Sequence, residues 1–134
     1  MKHLLFILLT VIFFSGCAPQ STLSPAMQAD VARPLYCQGA KECKDMWKRA
    51  LRFVSLNAGY KIDTANAAII ETKQVLRGNY SKALSMRVTK SPLGNGRYQL
   101  KVKVWCKVGI VISCSPSLEE TLWRAKLFIR EGRE

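Results

Sequence analysis

The stretch RYQLKVKVWC, residues 97–106, decides the fold, because two kinds of side chain alternate along its whole length. One set is mostly apolar and consists of Tyr98, Leu100, Val102, Val104 and Cys106. The other set is mostly basic or polar and consists of Arg97, Gln99, Lys101, Lys103 and Trp105. Successive side chains of a β-strand point to opposite faces of the sheet. The stretch therefore predicts a half-buried antiparallel strand with a basic outer face.

Further strands are predicted upstream, at residues 60–64, 67–76 and 80–90. In the last of these, Leu84, Met86 and Val88 alternate with polar residues, as expected for a strand with one buried face. The runs RGN (77–79) and SPLGNG (91–96) are rich in turn-forming residues and are predicted to connect the strands.

A helix is predicted before the strands, from Lys41 to Ala58, with Gly59 as its C-terminal stop. Its apolar residues recur at intervals of three and four, which favours a core position for Trp47 as well: Cys43, Met46, Trp47, Ala50, Leu51 and Val54. A stripe of basic residues lies on the opposite side of this helix: Lys41, Lys44, Lys48 and Arg52.

A second helix is predicted to begin at Ser117, because Ser117 and Glu120 have the spacing of a capping box. Its apolar stripe consists of Leu118, Leu122, Ala125 and Ile129, with Phe128 beside it. Glu119 and Glu120 are neighbouring carboxylates, the residue type of a catalytic general acid–base pair. Acidic residues in the first turn are, however, stabilised by the helix dipole, and this is the interpretation that we favour.

The N-terminus has the pattern of a bacterial signal peptide. A basic start precedes the apolar run 4–14, which would rise only about 16 Å as a helix and is too short to span a bilayer. The small residues Ser15 and Gly16 then lead into Cys17, which resembles the lipobox of bacterial lipoproteins with Phe14 in place of the usual leucine. The resemblance implies that Cys17 becomes the N-terminus and carries acyl chains such as palmitate, which anchor it to the membrane. Ala18 in the next position points to the outer membrane, and a plain secreted protein is the alternative.

The chain is predicted to have three parts. Residues 1–16 are the signal peptide, and residues 17–34, rich in Pro, Ser, Ala and Gln, form the lipidated N-terminus and a flexible tether. Residues 35–134 form a single periplasmic domain. Its fold class is α+β, a two-layer domain with the order helix, three or four antiparallel strands, helix, and with both helices on one face of the sheet.

The remaining cysteines are an even set, consisting of Cys37, Cys43, Cys106 and Cys114. An even number in an oxidising compartment predicts disulfides, and four cysteines allow three pairings. We favour the two local ones, Cys37–Cys43 and Cys106–Cys114. The spacings are wider than those of a zinc-binding pair, and the C-x-x-C of redox proteins does not occur, so neither a metal site nor a redox site is predicted.

The chemistry-bearing residues do not indicate an enzyme. The sole histidine, His3, lies in the predicted signal peptide, so the mature protein would lack Ser-His and Cys-His catalysis. The sequence contains neither a Ser-x-x-Lys motif nor a glycine-rich nucleotide-binding loop. We therefore predict a protein without catalytic activity, cofactor or small-molecule substrate.

Three stretches of sequence carry a family resemblance: residues 57–72, residues 87–102 and the cysteine pair Cys106 and Cys114 followed by Ser115-Pro116. Together with Cys37, Cys43 and Trp47 they resemble a family of small uncharacterised bacterial envelope lipoproteins, over most of residues 36–130. The order of elements is also similar to the helix-on-sheet modules of outer-membrane assembly lipoproteins. Neither resemblance implies an activity, since fold does not fix function.

Two classes of function follow. The prediction is a structural, assembly or interaction component of the cell envelope that docks on another envelope protein through apolar residues, with Trp105, Trp123 and residues 110–112 as candidates. The alternative is a cationic module that binds an anionic envelope polymer such as lipopolysaccharide, cell wall or nucleic acid. The net charge of +12 favours anionic surfaces. The candidate surface of such a module consists of Arg97, Lys101, Lys103, Trp105 and Lys107, and the basic stripe of the first helix is a second candidate.

Overall fold

The computed structural model describes residues 21–73, 81–107 and 114–133. The described elements, in chain order, are helix α1 (Pro25–Ala32), strand β1 (Leu35–Gln38), helix α2 (Gly39–Asn57), strands β2 (Ile62–Ala65), β3 (Ile69–Thr72), β4 (Ser81–Gly94) and β5 (Arg97–Lys107), and helix α3 (Leu118–Glu131). This is an α+β fold, as predicted, with one helix and at least one strand more than the sequence indicated. No helix among the described residues is long and apolar enough to cross a membrane.

The five strands form one antiparallel sheet in the order β1-β5-β4-β3-β2. Its centre is the long hairpin of β4 and β5, whose connection is only Asn95 and Gly96, with φ values of 52° and 70°. Two-residue hairpin turns require such positive φ values, and Asn-Gly is the pair that adopts them most readily. The predicted turn over 91–96 is therefore wrong in its first four residues, which continue β4.

The alternation of β5 is confirmed. Leu100 is buried in the core, and Tyr98, Val102, Val104 and Cys106 pack against it, whereas Lys101 and Lys103 on the other face are exposed. The matching residues of β4, Leu84, Met86 and Val88, are fully buried beside them. The hydrophobic core of the described residues therefore lies on one face of the sheet, and the helices cover that face.

Helix α2 covers the core face with an apolar arc that is rotated relative to the predicted one. Met46, Ala50 and Phe53 are buried, and the ring of Phe53 lies 5.9 Å from that of Phe128 on α3. The predicted arc includes Leu51, which is 38% exposed, and omits Phe53. At about 100° per residue, Leu51 lies beyond the edge of the arc that Met46, Ala50 and Phe53 define, so the prediction is wrong at this residue.

Gly59 follows α2 for a reason other than the predicted one. The helix ends at Asn57, the backbone N–H of the capping residue Ala58 donates to the carbonyl of Val54 at 3.0 Å, and Gly59 has no positive φ. The backbone of Gly59 instead runs directly over β4, with its N–H donating to the carbonyl of Leu84 at 2.9 Å. A Cβ atom here would collide with Ala83. Glycine is needed because two backbones approach closely, not because the helix requires a left-handed cap.

Both ends of α3 are capped. At the N-terminus, the Ser117 hydroxyl accepts a hydrogen bond from the backbone N–H of Glu120 at 3.2 Å, which confirms the predicted start. At the C-terminus, Gly132 adopts a left-handed conformation with φ 74°. The guanidinium of Arg49 on α2 donates to the carbonyls of Ile129 and Arg130 at 2.7 and 3.1 Å, and so ties the two helices together.

The part of the predicted tether that the structure describes is folded. Residues 25–32 form α1, and Leu23 before it is buried. Asp30 forms an ion pair with Arg130 of α3 at 3.4 Å, and the ammonium of Lys126 donates to the carbonyl of Val31. Burial here, together with the charge of Arg130, lowers the pKa of Lys126. The prediction of a flexible tether is therefore wrong for this part, because contacts with α3, which are distant in sequence, stabilise α1.

Two disulfides are present, with the predicted local pairing. Cys37 at the end of β1 is bonded to Cys43 in α2, with Cα atoms 5.0 Å apart, and Cys106 of β5 is bonded to Cys114, with Cα atoms 5.9 Å apart. The first connects the sheet edge to the helix that covers it. The second fixes the start of α3 to the end of β5.

Several predictions fall outside the described residues. They are the signal peptide 1–16, the lipidation of Cys17, the turn at 77–79 and the apolar residues 110–112. The strands β2, β3 and β4 correspond to the three upstream strands predicted, and β2 is shifted by one or two residues. The end of the predicted strand 67–76, residues 74–76, also lies outside the described residues.

Candidate functional site

The face of the sheet opposite the helices is the candidate site, and we call it the open face. It carries every second side chain of the strands. Its principal residues are Tyr36 (β1), Glu71 (β3), Arg87 and Thr89 (β4), and Gln99, Lys101, Lys103 and Trp105 (β5). Ser85 of β4 lies on the same side of the sheet but is fully buried. In the structure these residues lie on the side away from α2 and α3, whose buried residues belong to the core on the other face.

The centre of the open face is a row of charged side chains across three strands. Lys103 lies opposite Arg87, and Arg87 lies opposite Glu71, with which its guanidinium forms an ion pair. Lys101, two residues before Lys103 on the same face of β5, lies opposite Thr89. Glu71 therefore compensates Arg87, while no carboxylate of the described residues forms an ion pair with Lys101 or Lys103. Two exposed positive charges remain next to each other on β5.

Trp105 extends this cationic row with an aromatic surface. Its ring is half-buried, and the ammonium of Lys103 lies 5.6 Å from the ring centroid, within the range of a cation–π interaction. Ser85, directly opposite on β4, is fully buried, and its hydroxyl has no hydrogen-bond partner among the described residues. Lys101, Lys103 and Trp105 thus lie side by side on one face of β5.

The other predicted members of this surface are less close. Arg97 is exposed at the far end of β5, where its guanidinium lies 5.9 Å from the ring of Tyr36. Strand geometry places it about 20 Å from Lys103. Lys107 is paired with Ser81 at the other end of the hairpin, and its side chain lies outside the description. Tyr36, which is 49% exposed, is a member of the open face that the sequence analysis did not identify. The apolar residues Leu35 and Cys37 on either side of Tyr36 form an alternating strand pattern, which could have predicted its position on this face.

The second predicted cationic surface, the basic stripe of α2, is exposed on the other side of the molecule. All four residues, Lys41, Lys44, Lys48 and Arg52, are exposed, and Lys41 forms an ion pair with Asp45 at 3.5 Å. Lys48 and Arg52 also line a shallow pocket of about 380 Å³ with Arg49. The donors of Arg49 are already bonded to carbonyls of α3. The structure therefore holds two separate cationic surfaces.

The other tryptophans do not belong to the open face. Trp47 packs against the core, and its indole N–H donates to the carbonyl of Asn66 at 3.1 Å. Lys90 reaches over it, with the ammonium 4.9 Å from the ring centroid and 5.5 Å from that of Tyr98. Trp123 on α3 is half-buried, and its indole nitrogen is buried without a hydrogen-bond partner among the described residues. The core interpretation of Trp47 agrees with this geometry.

The acidic residues at the start of α3 are placed as the helix-dipole interpretation requires. Glu119 and Glu120 are both exposed in the first turn, and a carboxylate oxygen of Glu119 accepts a hydrogen bond from the Ser21 hydroxyl at 2.6 Å. Within the described ranges, no group of three His, Cys, Asp or Glu side chains has a geometry that could hold a metal ion.

Comparison with known proteins gives no assignment. The chain matches no protein-family model, no curated protein and no solved structure. The resemblance to small envelope lipoproteins therefore stays a prediction from the sequence.

Proposed function

We propose that this chain is a non-catalytic, membrane-anchored lipoprotein that acts as a structural, assembly or interaction component of the bacterial cell envelope. One observation carries the proposal. Both long helices lie on one face of the sheet, and the other face presents Lys101, Lys103 and Trp105 side by side. A sheet face with an aromatic ring among charged side chains is suited to contact another macromolecule.

The envelope location is supported by two features of the sequence. The segment before Cys17 resembles a lipobox, and the four other cysteines are joined in pairs, as is usual for proteins of oxidising compartments. The anchor is tested with Cys17→Ser. We expect the variant to lose the acyl mass of the wild-type protein and to leave the membrane fraction. A variant that still carries the mass of the acyl chains and still partitions with the membrane would refute lipidation at Cys17.

The interaction is tested by crosslinking in cells. A photoreactive residue is placed at Lys101 or Trp105 on the open face, and in a control at Lys44, which is exposed like Lys101 but lies on α2. We expect one dominant protein adduct from the open-face positions and none from Lys44. Equal adducts from all three positions, or an adduct from Lys44 alone, would contradict the assignment of the open face as the docking surface.

The second candidate function is binding of an anionic envelope polymer in a periplasmic, outer-membrane setting. The observation in its favour is that Lys101 and Lys103 are exposed and lack an ion-pair partner in the described part of the chain. Such binding would weaken steeply with salt, because cations that neutralise a polyanion release its counterions. Retention on immobilised lipopolysaccharide should then fall between low and high salt, and should fall further for Lys101→Glu than for Lys44→Glu. Salt-independent retention would contradict this candidate.

A further inference from the structure

Strand β1 covers only part of its neighbour. Its four residues pair with Arg97–Leu100 of β5, whereas β5 continues to Lys107 in partnership with β4. Among the residues that the structure describes, no strand pairs with the outer side of β5 beyond Leu100. Within the described ranges, the last seven residues of β5 therefore form an unpaired strand edge, which we call the free edge.

The hydrogen bonds of β4 identify which groups of this edge are available. The backbone N–H of Lys90 donates to the carbonyl of Ala68 at 2.8 Å, and that of Met86 donates to the Thr72 hydroxyl at 3.0 Å, so the even-numbered residues of β4 bond towards β3. The odd-numbered residues must then bond to their partners on β5, which are also odd-numbered. The N–H and C=O groups that point to the free edge are those of Val102, Val104 and Cys106.

A groove lies beside the start of this edge. It has a volume of about 350 Å³ and lies between the beginning of β1, the strand β5 and the first half of α3. Its apolar lining includes Pro34, Leu35, Val102 and Leu122. An added strand would continue the line of β1, and every second side chain of it would point to the helix side of the sheet, where this groove offers space for a small apolar residue.

The remaining side chains of an added strand would lie on the open face, next to Lys101 and Lys103. Residues opposite one another on neighbouring strands interact, and opposite charges stabilise the pairing while like charges destabilise it. A second copy of this chain would bring lysines against lysines, which is how natural edge strands avoid self-association. The charge of this edge thus favours acidic residues at alternate positions.

We propose that the free edge of β5 binds an extended segment of a protein partner, with alternating acidic and small apolar residues, by β-strand addition. Such binding takes its affinity from main-chain hydrogen bonds and its specificity from alternate side chains. The inference rests on the proposed function, because it names the class of partner that the interaction component would take.

The test uses the full chain in detergent and a ten-residue synthetic peptide of alternating Asp and Val. Two further peptides are N-methylated, one at every Asp and one at every Val. In antiparallel pairing, the arrangement of every strand pair in this sheet, the Val N–H groups would bond to β5. Methylation at Val should abolish binding, and methylation at Asp should leave it within about threefold. Equal effects of both methylations, or no binding by the unmodified peptide, would overturn the proposal.

A charge exchange provides the second measurement. The double variant Lys101→Glu, Lys103→Glu should bind the Asp-Val peptide about tenfold or more weakly and should gain binding of a Lys-Val peptide. The matched control, Lys41→Glu with Lys44→Glu on α2, should change neither affinity. If open-face crosslinks capture a protein but the peptides fail these tests, the edge inference fails and the proposed function stands. If neither experiment yields a partner, both fail.

Discussion

Replacing Gly59 with alanine tests the close approach of two backbones after helix α2. The new Cβ atom would lie 3.1 Å from the Cα of Ala83 and 3.2 Å from the backbone nitrogen of Leu84, and would collide with the Ala83 side chain. Backbone atoms of a central strand cannot move aside as a flexible side chain can. The chain after α2 must therefore lift away and weaken the 2.9 Å hydrogen bond from Gly59 to Leu84.

The expected magnitude follows from these contacts. Overpacking of a core costs typically about 1–3 kcal/mol, and the exposed Gly59 should lie at the lower end of this range because its segment can relax towards solvent. The weakened hydrogen bond adds about 1 kcal/mol, so we expect a loss of about 2–3 kcal/mol in the free energy of unfolding. With a urea m-value of about 1–3 kcal/mol/M, the unfolding midpoint should fall by about 1 M or more. The assay is urea unfolding of the oxidised protein, followed by circular dichroism.

Two control variants make the result decisive. Gly39→Ala places a Cβ in open space at φ 77°, so its loss should come from backbone strain alone and be about 1 kcal/mol. Ala83→Gly removes one of the colliding atoms, so the double variant with Gly59→Ala should be more stable than the sum of the two single losses predicts. A Gly59→Ala protein that unfolds at the wild-type midpoint would refute the close-approach argument.

Three further predictions concern the contacts that fix the helices. Arg49→Met should lower the free energy of unfolding by about 2–3 kcal/mol, measured by urea unfolding, because two carbonyls at the end of α3 lose charged donors. Removing the first disulfide with Cys37→Ser and Cys43→Ser should cost about 2 kcal/mol or more in the same assay, and reductant should then have less effect on the variant than on the wild type. The pKa of Lys126 is lowered in the folded protein, so the unfolded chain holds this proton more tightly and stability should rise as the pH increases towards the ordinary lysine value of 10.5. In unfolding measurements from pH 7 to 10, Lys126→Gln should lack this contribution, and parallel pH profiles of the two proteins would contradict it.

Local patterns were sufficient to predict the central hairpin and the last helix. The alternation in 97–106 and 84–88 depends only on which face of a strand is buried, and the capping box at Ser117 depends only on the first turn of a helix. The extension of β4 through Pro92 could not be predicted in this way. The missing N–H of Pro92 points towards the β3 side, beyond the last β3–β4 pair at Ile69, so no ladder hydrogen bond is lost there.

The N-terminal elements were missed because their stability comes from contacts that are distant in sequence. Helix α1 lacks an apolar stripe of its own and is fixed by the ion pair of Asp30 with Arg130 and by Lys126. The candidate site was predictable only in part for a similar reason. Alternation placed Lys101 and Lys103 on one face, whereas the pairing of Arg87 with Glu71 depends on strand register. The free edge of β5 depends on the shortness of β1.

The folding of α1 against α3 has a consequence for where this protein can act. If Cys17 carries the lipid, a free segment up to residue 34 would let the domain move as far as about 60 Å from the bilayer. Leu23, six residues after Cys17, is already buried against the domain, which limits this distance to about 20 Å. Such a short linker would keep the domain beside the headgroups, with the α1 end turned towards them. The domain would then search for partners across the membrane plane, among proteins that emerge from the same leaflet, and could not reach far into the periplasmic space.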